Sequence, residues 1–226
     1  MKNALLLCGQ PRNIGNMQIY NTFKEIITRY NCDVYIHFWY DETTATVGKT
    51  YAPWLPSQDM VVQPDVLKKM IELYNPTKFL IEKPIEPVGD EHEFTNCRFS
   101  RAVYNLRSYY TSMKRVSELV EDPKQYRYII RARSDIIVHS LPEITSRSDC
   151  VYTATIHTHS PGVDNAILVY PSEHFYTMSS LIETMIPLYR SGVVMNDEEM
   201  LHGHLKSCGL IDKTHGSLIR YTIIRV

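Results

Sequence analysis

The sequence lacks an excess of either charge. Its 226 residues carry 24 Lys and Arg against 25 Asp and Glu, which gives a formal net charge of −1. A broad surface for nucleic acid or for an anionic membrane needs a strong basic excess, so this balance argues against both kinds of partner. Hydrophobic residues make up 44% and charged residues 22% of the chain, proportions typical of a folded globular protein rather than a disordered one.

Long apolar runs and metal-binding cysteine spacings are also missing. No apolar run approaches the roughly 18 residues that a membrane-spanning helix needs. The first apolar stretch, residues 4–8, is too short for the core of a signal peptide. The five cysteines form an odd set without a CxxC pair: Cys8, Cys32, Cys97, Cys150 and Cys208. Reduced thiols are the simplest interpretation, so we expect a reducing, cytoplasmic compartment.

No internal repeat, low-complexity tract or linker divides the chain, so we expect one domain over residues 1–226. Short apolar runs alternate with amphipathic ones, the pattern of an α/β protein. We predict strands at residues 4–9, 33–39, 78–82, 126–138, 151–156, 166–170 and 217–226. We predict helices at residues 17–30, 64–74, 98–121, 172–190 and 197–207, with Pro187 bending or ending the fourth. The predicted fold class is α/β, with a mostly parallel central sheet flanked by helices.

The strand predicted at residues 126–138 carries the strongest functional signal. Side chains alternate along a strand, so Arg131, Arg133 and Asp135 share one face if the chain stays extended. Burying an unpaired ion is costly, so these charges must either pair internally or face a polar cleft. In open α/β sheets such a cleft lies beyond the carboxyl ends of the strands. Both interpretations stay open.

The segment after the first strand, residues 9–13 (GQPRN), is a second candidate. Gly9 lets the backbone approach a ligand, and the Arg12 guanidinium suits a phosphate group. The helix that follows adds a positive N-terminus. The segment is neither GxGxxG nor a Walker loop, so the fingerprints of dinucleotide and P-loop sites are absent. An ordinary strand-to-helix turn is the alternative.

Acidic residues open the last predicted helix. Asn196 and Glu199 have the spacing of a capping box, in which acids of the first turn suit the helix dipole. Alternatively, Asp197 or Glu198 faces a cleft as a general base. Asp164, in a loop before a short strand, is a further carboxylate candidate.

The helix predicted at residues 98–121 has two different faces. Its core face has apolar residues at helical spacing: Phe99, Val103, Leu106, Tyr110 and Met113. A polar stripe lies off that face and predicts a solvated side: Arg101, Asn105, Ser108 and Ser112.

Four short motifs, in this order and spacing, resemble GT-A-type nucleotide-sugar glycosyltransferases. The likeness is greatest to the group found in bacterial surface-polysaccharide loci and large algal DNA viruses. The motifs are residues 8–12 (CGQPR), 33–39 (DVYIHFW), 131–136 (RARSDI), and 196–201 (NDEEML) followed by 204–206 (HLK) and Gly209. The resemblance covers nearly the whole chain and implies a GT-A-like, Rossmann-related fold.

The resemblance also implies a set of site residues. The nucleotide-sugar donor would be bound by Gly9, Gln10, Arg12, Arg131, Arg133 and Asp135. In the family, an acid–x–acid motif holds the diphosphate through a divalent ion, Mn²⁺ or Mg²⁺. This chain has Arg133 at the first acid position, so Asp135 alone would hold the metal, with His215 as its partner. Arg133 would otherwise neutralise the diphosphate directly, because a guanidinium is always charged and forks onto phosphate oxygens.

The function implied is that of a hexosyl- or pentosyltransferase in polysaccharide biosynthesis. It would move a sugar from a UDP-linked donor to a glycan hydroxyl, without nucleic acid as a partner. Asp197 or Glu198 would deprotonate the acceptor in an inverting reaction, with Asp164 as an alternative base or a ligand of sugar hydroxyls. Two other functions fit the sequence: a nucleotidyltransferase that makes a nucleotide-sugar, and a non-catalytic carbohydrate-binding protein.

Overall fold

The computed structural model describes residues 2–49, 59–97, 102–143, 149–157, 162–216 and 219–224. The helices are α1 (Met17–Tyr30), α2 (Pro64–Tyr74), α3 (Ala102–Glu118), α4 (Phe175–Ser179), α5 (Leu181–Arg190) and α6 (Asp197–Ser207). The strands are β1 (Lys2–Gly9), β2 (Cys32–Trp39), β3 (Thr46–Lys49), β4 (Asp59–Val61), β5 (Lys78–Glu82), β6 (Tyr126–Arg133), β7 (Ile136–Ser140), β8 (Val151–Thr153), β9 (Ile156–His157), β10 (Gly162–Val163), β11 (Ile167–Pro171), β12 (Thr214–His215) and β13 (Arg220–Ile223).

A seven-stranded sheet in the order β12-β8-β11-β6-β1-β2-β5 organises the described part of the chain. Strands β6, β1, β2 and β5 are parallel neighbours, and β12 is parallel to β8. Strand β11 runs antiparallel to both β6 and β8, so it alone opposes the common direction. The predicted α/β fold with a mostly parallel sheet is confirmed.

Both faces of the sheet are covered, which explains the continuous apolar run of the first strand. Leu5, Leu6 and Leu7 are all fully buried, although successive side chains point to opposite faces. On one face they pack with α1 and α2, which contribute Ile19, Phe23 and Leu67 among others. On the other they pack with α3, α5 and α6. A run without alternation is therefore typical of a strand buried on both sides.

The strand order reverses between β1 and β6. From β1 the chain passes through α1 to β2, and later to β5, on one side of β1; it returns through α3 to β6 on the other side. In open α/β sheets the crevice at such a reversal, beyond the carboxyl ends of the strands, is where ligands bind. Gly9 and Arg133 are the last residues of these two strands.

The strand predicted at residues 126–138 is two strands. Strand β6 ends at Arg133, the chain turns at Ser134 and Asp135, and β7 leaves the main sheet to pair with β13. Asp135 is therefore in a turn and not in line with Arg131 and Arg133. The strand predicted at residues 217–226 is present as β13, although residues 217–218 and 225–226 lie outside the described residues.

Two other predictions are corrected. The helix predicted at residues 172–190 is interrupted at Ser180, whose hydroxyl turns back to the Thr177 carbonyl, whereas Pro187 lies inside α5. The segment 41–63, in which we predicted no strand or helix, contributes the antiparallel pair β3 and β4. Within the described residues no helix is both long and apolar enough to cross a membrane. None of the five cysteines, all of them in the described ranges, forms a disulfide bond.

Candidate functional site

The loop after β1 is held in one conformation by its own polar groups. Gly9 has φ +107°, in the left-handed region where a residue with a side chain is strained. The Arg12 amide donates to the Gln10 carbonyl at 2.8 Å, and Arg12 Nε donates to Gln10 Oε1 at 2.8 Å. Helix α1 then begins with Asn16 as its cap, accepting from the Gln18 amide at 2.9 Å. Gln10 therefore aims the Arg12 guanidinium.

A buried hydrogen-bond chain fixes the Gly9 peptide from below. The Gly9 amide donates to Ser112 Oγ at 2.7 Å, and Ser112 Oγ lies 2.7 Å from His37 Nδ1. His37 Nε2 in turn lies 2.9 Å from Glu82 Oε2. Burial lowers the pKa of His37, opposed by the hydrogen bond and charge of Glu82. Neutral His37 then accepts the Ser112 hydroxyl proton at Nδ1 and donates from Nε2 to Glu82.

These hydrogen bonds correct the prediction that the polar stripe on α3 is solvated. Ser112 is fully buried and Ser108 nearly so, because that side of α3 packs against β2. The Ser108 carbonyl accepts from Trp39 Nε1 at 3.0 Å. The stripe is therefore buried at Ser108 and Ser112. Arg101 lies outside the described residues.

We expect Ser112→Ala to lower the free energy of unfolding by about 1–3 kcal/mol, because it leaves the Gly9 amide and His37 Nδ1 buried without their partner. Ser117→Ala is the matched control. Ser117 is also buried on α3, but its hydroxyl only donates to the Met113 carbonyl of its own helix. Urea unfolding measures the free energy of unfolding of both variants. Equal decreases in the two would show that the hydrogen bonds from Ser112 to Gly9 and His37 add no stability of their own.

Arg133 and Asp135 form a two-point ion pair across the turn after β6. Arg133 Nε donates to Asp135 Oδ1 at 2.8 Å, and Nη2 donates to Oδ2 at 2.6 Å. The Asp135 side chain is 5% exposed and that of Arg133 is 29% exposed. Burial alone would raise the pKa of Asp135, but the charge and hydrogen bonds of Arg133 outweigh it and lower that pKa. Burial would likewise lower the pKa of Arg133, and Asp135 reverses this.

The turn and the first loop meet. Ser134 Oγ donates to the Gln10 carbonyl at 2.9 Å, which ties the two segments together. Burial lowers the pKa of Arg12 to about 10, opposed by the Asp135 carboxylate, so Arg12 stays charged at neutral pH. Two guanidiniums, Arg12 and Arg133, therefore lie at the carboxyl ends of β1 and β6 with one carboxylate between them.

Arg131 lies beneath this site rather than in it. Its side chain is 1% exposed, and it donates from Nη2 to Asn165 Oδ1 and from Nη1 to Met113 Sδ. Its Nε is buried without a hydrogen bond among the described residues. The sequence predicted that Arg131 and Arg133 share one face of the strand. Arg131 lies two residues before the carboxyl end of β6 and is buried, whereas Arg133 is at that end and is partly exposed. Arg131 supports the site through Asn165.

Asn165 links Arg131 to the candidate base Asp197. Asn165 Nδ2 donates to Asp197 Oδ1 at 2.8 Å, and Tyr110 OH donates to the same oxygen at 3.2 Å. Burial raises the pKa of Asp197, opposed by the Asn165 hydrogen bond and the Arg133 charge. A carboxylate with a raised pKa is a better proton acceptor than an ordinary one.

The last described strand brings a tyrosine to Asp164. Tyr221 OH donates to Asp164 Oδ2, and the Ala166 amide donates to Oδ1 at 2.9 Å. Burial raises the pKa of Tyr221, and the negative charges of Asp164 and Glu198 raise it further. The carboxylates of Asp164 and Glu198 thus both act on the same phenol, on the side of the site where Asp197 lies.

Sequence reasoning missed Tyr109, Asn165 and Tyr221. Tyr109 OH donates to the Asn165 carbonyl at 2.8 Å, and its ring lies 3.9 Å from the point where a Cβ on Gly9 would be. Only Asn165 had a signal, since it adjoins Asp164 in sequence. The two tyrosines reach the site through the packing of α3 and the pairing of β13, which no local pattern reveals.

The capping box predicted at the start of α6 is wrong. Asn196 makes no side-chain capping bond, and its Nδ2 is buried without a hydrogen bond among the described residues. The amide of Met200 instead donates to the Asn196 main-chain carbonyl, as in any first helical turn.

Asp135 and His215 do not fit one metal ion. The strand register places His215 opposite Tyr152 and Tyr152 opposite Val169. Val169 is in turn opposite Ile130 of β6. Three strand spacings, about 14 Å, therefore separate His215 from β6, and Arg133, two residues before Asp135, lies about 10 Å further along that strand. Ligands of one ion must lie within about 2.0–2.6 Å of it. Nowhere in the described ranges do three His, Cys, Asp or Glu side chains group as metal ligands.

Comparison with known proteins finds matches among solved structures. No protein-family model and no curated protein matches the chain. Solved structures do match. The chain is similar to glycosyltransferases of known structure. The apo form of the glycosyltransferase GlyE of Streptococcus pneumoniae TIGR4 is 11% identical, with a TM-score of 0.48, over 95% of this chain and 45% of that one.

Two further matches span more of their own length. A Drosophila beta-1,4-galactosyltransferase 7 mutant, in complex with manganese, UDP-Gal and xylobiose, is 13% identical, with a TM-score of 0.45, over 100% of this chain and 71% of that one. A glycosyltransferase involved in glycosylation of the major capsid of PBCV-1 is 8% identical, with a TM-score of 0.42, over 96% of this chain and 82% of that one. The chain spans less than half of GlyE and larger parts of the other two proteins.

Proposed function

We propose that this chain transfers a hexosyl or pentosyl unit from a UDP-linked donor to a glycan hydroxyl, in one domain of residues 1–226, and so serves polysaccharide synthesis. One observation carries the proposal. The loop after β1 and the turn after β6 meet where the strand order reverses, joined by the hydrogen bond from Ser134 to Gln10. This is where open α/β sheets bind nucleotides.

The charges at this point suit a diphosphate. Arg12 and Arg133 flank the reversal, and guanidiniums fork onto phosphate oxygens. Helix α1 begins just beyond the loop without an acidic residue in its first turn, so its positive end is not neutralised locally. Gly9, at φ +107°, leaves the backbone open to close approach by the donor.

The carboxylates supply the acceptor chemistry. In an inverting transfer the acceptor oxygen bonds to the anomeric carbon as the bond from that carbon to the diphosphate breaks. The electron pair of that bond leaves with the diphosphate, and the acceptor proton passes to Asp197. Glu198 is the alternative base, and Asp164, held by Tyr221, binds sugar hydroxyls. Arg12 and Arg133 stabilise the charge that develops on the diphosphate.

No step of this mechanism passes through a metal. The Drosophila structure is a complex with manganese and UDP-Gal. In the present chain the Asp135 carboxylate is occupied by Arg133, and His215 is three strands away. The described residues therefore do not offer the ligand set that the resemblance implied.

We expect the purified protein to release UDP when it is incubated with UDP-sugars and glycan acceptors. The same incubations separate the other two functions. Pyrophosphate formation from a sugar phosphate and UTP would identify a nucleotidyltransferase. Tight binding of sugars without turnover would identify a carbohydrate-binding protein. Calorimetric titration is the companion measurement: UDP must bind more tightly than AMP, and equal affinities would refute the assignment of the donor site.

A further inference from the structure

We propose that Asp135 is a positioning residue that aims the Arg133 guanidinium, and that Arg133 and Arg12 together take the place of a divalent metal at the donor's diphosphate. The inference rests on the proposed function, because it concerns the same donor site. It makes transfer independent of metal ions.

The first step is that both carboxylate oxygens of Asp135 already accept from Arg133, at 2.8 and 2.6 Å. A cation bound at Asp135 would lie next to a guanidinium that is charged at every accessible pH and repels it.

The second step is that the pairing leaves the rest of Arg133 available. A guanidinium has five N–H donors, and Asp135 uses one on Nε and one on Nη2. Among the described residues Nη1 makes no hydrogen bond, and 29% of the side chain is exposed. The pair with Asp135 fixes the plane of the guanidinium at the end of β6, so its remaining donors present a fixed fork.

The third step is that Arg12 completes a cationic pair. It is oriented by Gln10, a neutral partner that leaves its charge uncancelled. The charges of Arg12 and Arg133 both lower the pKa of Asp135. Arg12 follows β1 and Arg133 ends β6, so two guanidiniums lie where the strand order reverses, which suits a diphosphate that gains charge as it leaves.

The test compares turnover and UDP affinity in EDTA and in added MnCl₂. We expect both quantities to be the same under the two conditions.

Arg133→Gln should lower kcat/KM roughly 10- to 150-fold, the loss of a charge-assisted hydrogen bond, and MnCl₂ should not restore it. Arg133→Lys, which keeps the charge without the fork, should recover part of the loss. Asp135→Asn should raise the donor KM more than it lowers kcat.

Arg127→Gln is the matched control. Arg127 lies on β6 as well, but it is exposed, stacks on the ring of Tyr128 and is six residues before Arg133. Its substitution should leave both readouts unchanged.

Turnover that EDTA abolishes and MnCl₂ restores would overturn the inference while leaving the proposed function intact. Absence of turnover with every donor would count against the proposed function instead. In that case UDP binding still decides the inference: affinity that is insensitive to EDTA and weakened by Arg133→Gln supports it, and affinity that requires MnCl₂ refutes it.

Discussion

We expect Asp197→Asn to lower kcat by roughly 10²- to 10⁴-fold, the usual contribution of a general base, with little change in UDP affinity. Asp197 is the first residue of α6. Asn165 and Tyr110 both donate to its Oδ1, and Oδ2 has no hydrogen bond among the residues that the structure describes. That oxygen is therefore available to an acceptor hydroxyl.

The pH dependence follows from the raised pKa of Asp197. Only the deprotonated carboxylate accepts a proton, so activity falls as the pH drops through its pKa, which burial places above the ordinary value of 3.8. The acid limb of kcat/KM against pH should lie above that value in the wild type and be absent from the residual activity of Asp197→Asn.

Variants of the neighbouring acids make the measurement specific. Glu199→Gln is the control, because Glu199 is in the same first turn of α6 and has no part in the site. It should have wild-type kcat. If Glu198→Gln loses the activity and Asp197→Asn keeps it, then Glu198 is the base and our assignment is wrong.

We expect Asp135→Ala to lower the free energy of unfolding at neutral pH by about 3–5 kcal/mol, because it leaves the Arg133 charge partly buried without its partner. The control is Asp149→Ala. Asp149 pairs with Lys213 at 3.3 Å, but both side chains are about half exposed, so solvent screens the pair and its loss should be much smaller.

The pH dependence of the free energy of unfolding distinguishes loss of the ion pair from loss of packing in Asp135→Ala. The pKa of Asp135 is lower in the folded protein than in the unfolded chain. Its contribution is therefore complete above the unfolded pKa of about 3.9 and is lost as the pH falls through the folded pKa. The difference between wild type and Asp135→Ala, followed by urea unfolding, should shrink on acidification. A difference that is independent of pH would show that the ion pair is not its cause.

The sequence determined most of the regular structure because the decisive signals are local. Helices α1, α2 and α6 and strand β5 have the predicted bounds. Pro64 opens α2, and apolar periodicity marks the helices that cover the sheet. Buried strands have no alternation, so the run from Tyr126 onward could not show that the chain turns at Ser134 and Asp135.

The same distinction holds at the site. The first loop and the pair Arg133 and Asp135 were evident from the sequence, since charges next to apolar strands are costly to bury and must be paired or used. That Asp135 binds Arg133 with both oxygens depends on the turn between them.

Only the tertiary structure decided which charges meet. Burial of Arg131, the link through Asn165 to Asp197, and the separation of His215 from Asp135 all depend on strand order and on depth along β6. Residues far apart in sequence, such as Asp164 and Tyr221, come together because β13 pairs with β7. Hydrophobic periodicity sets which face of an element is buried, but it carries no information on which element lies beside it. That choice is made by the packing of the whole chain.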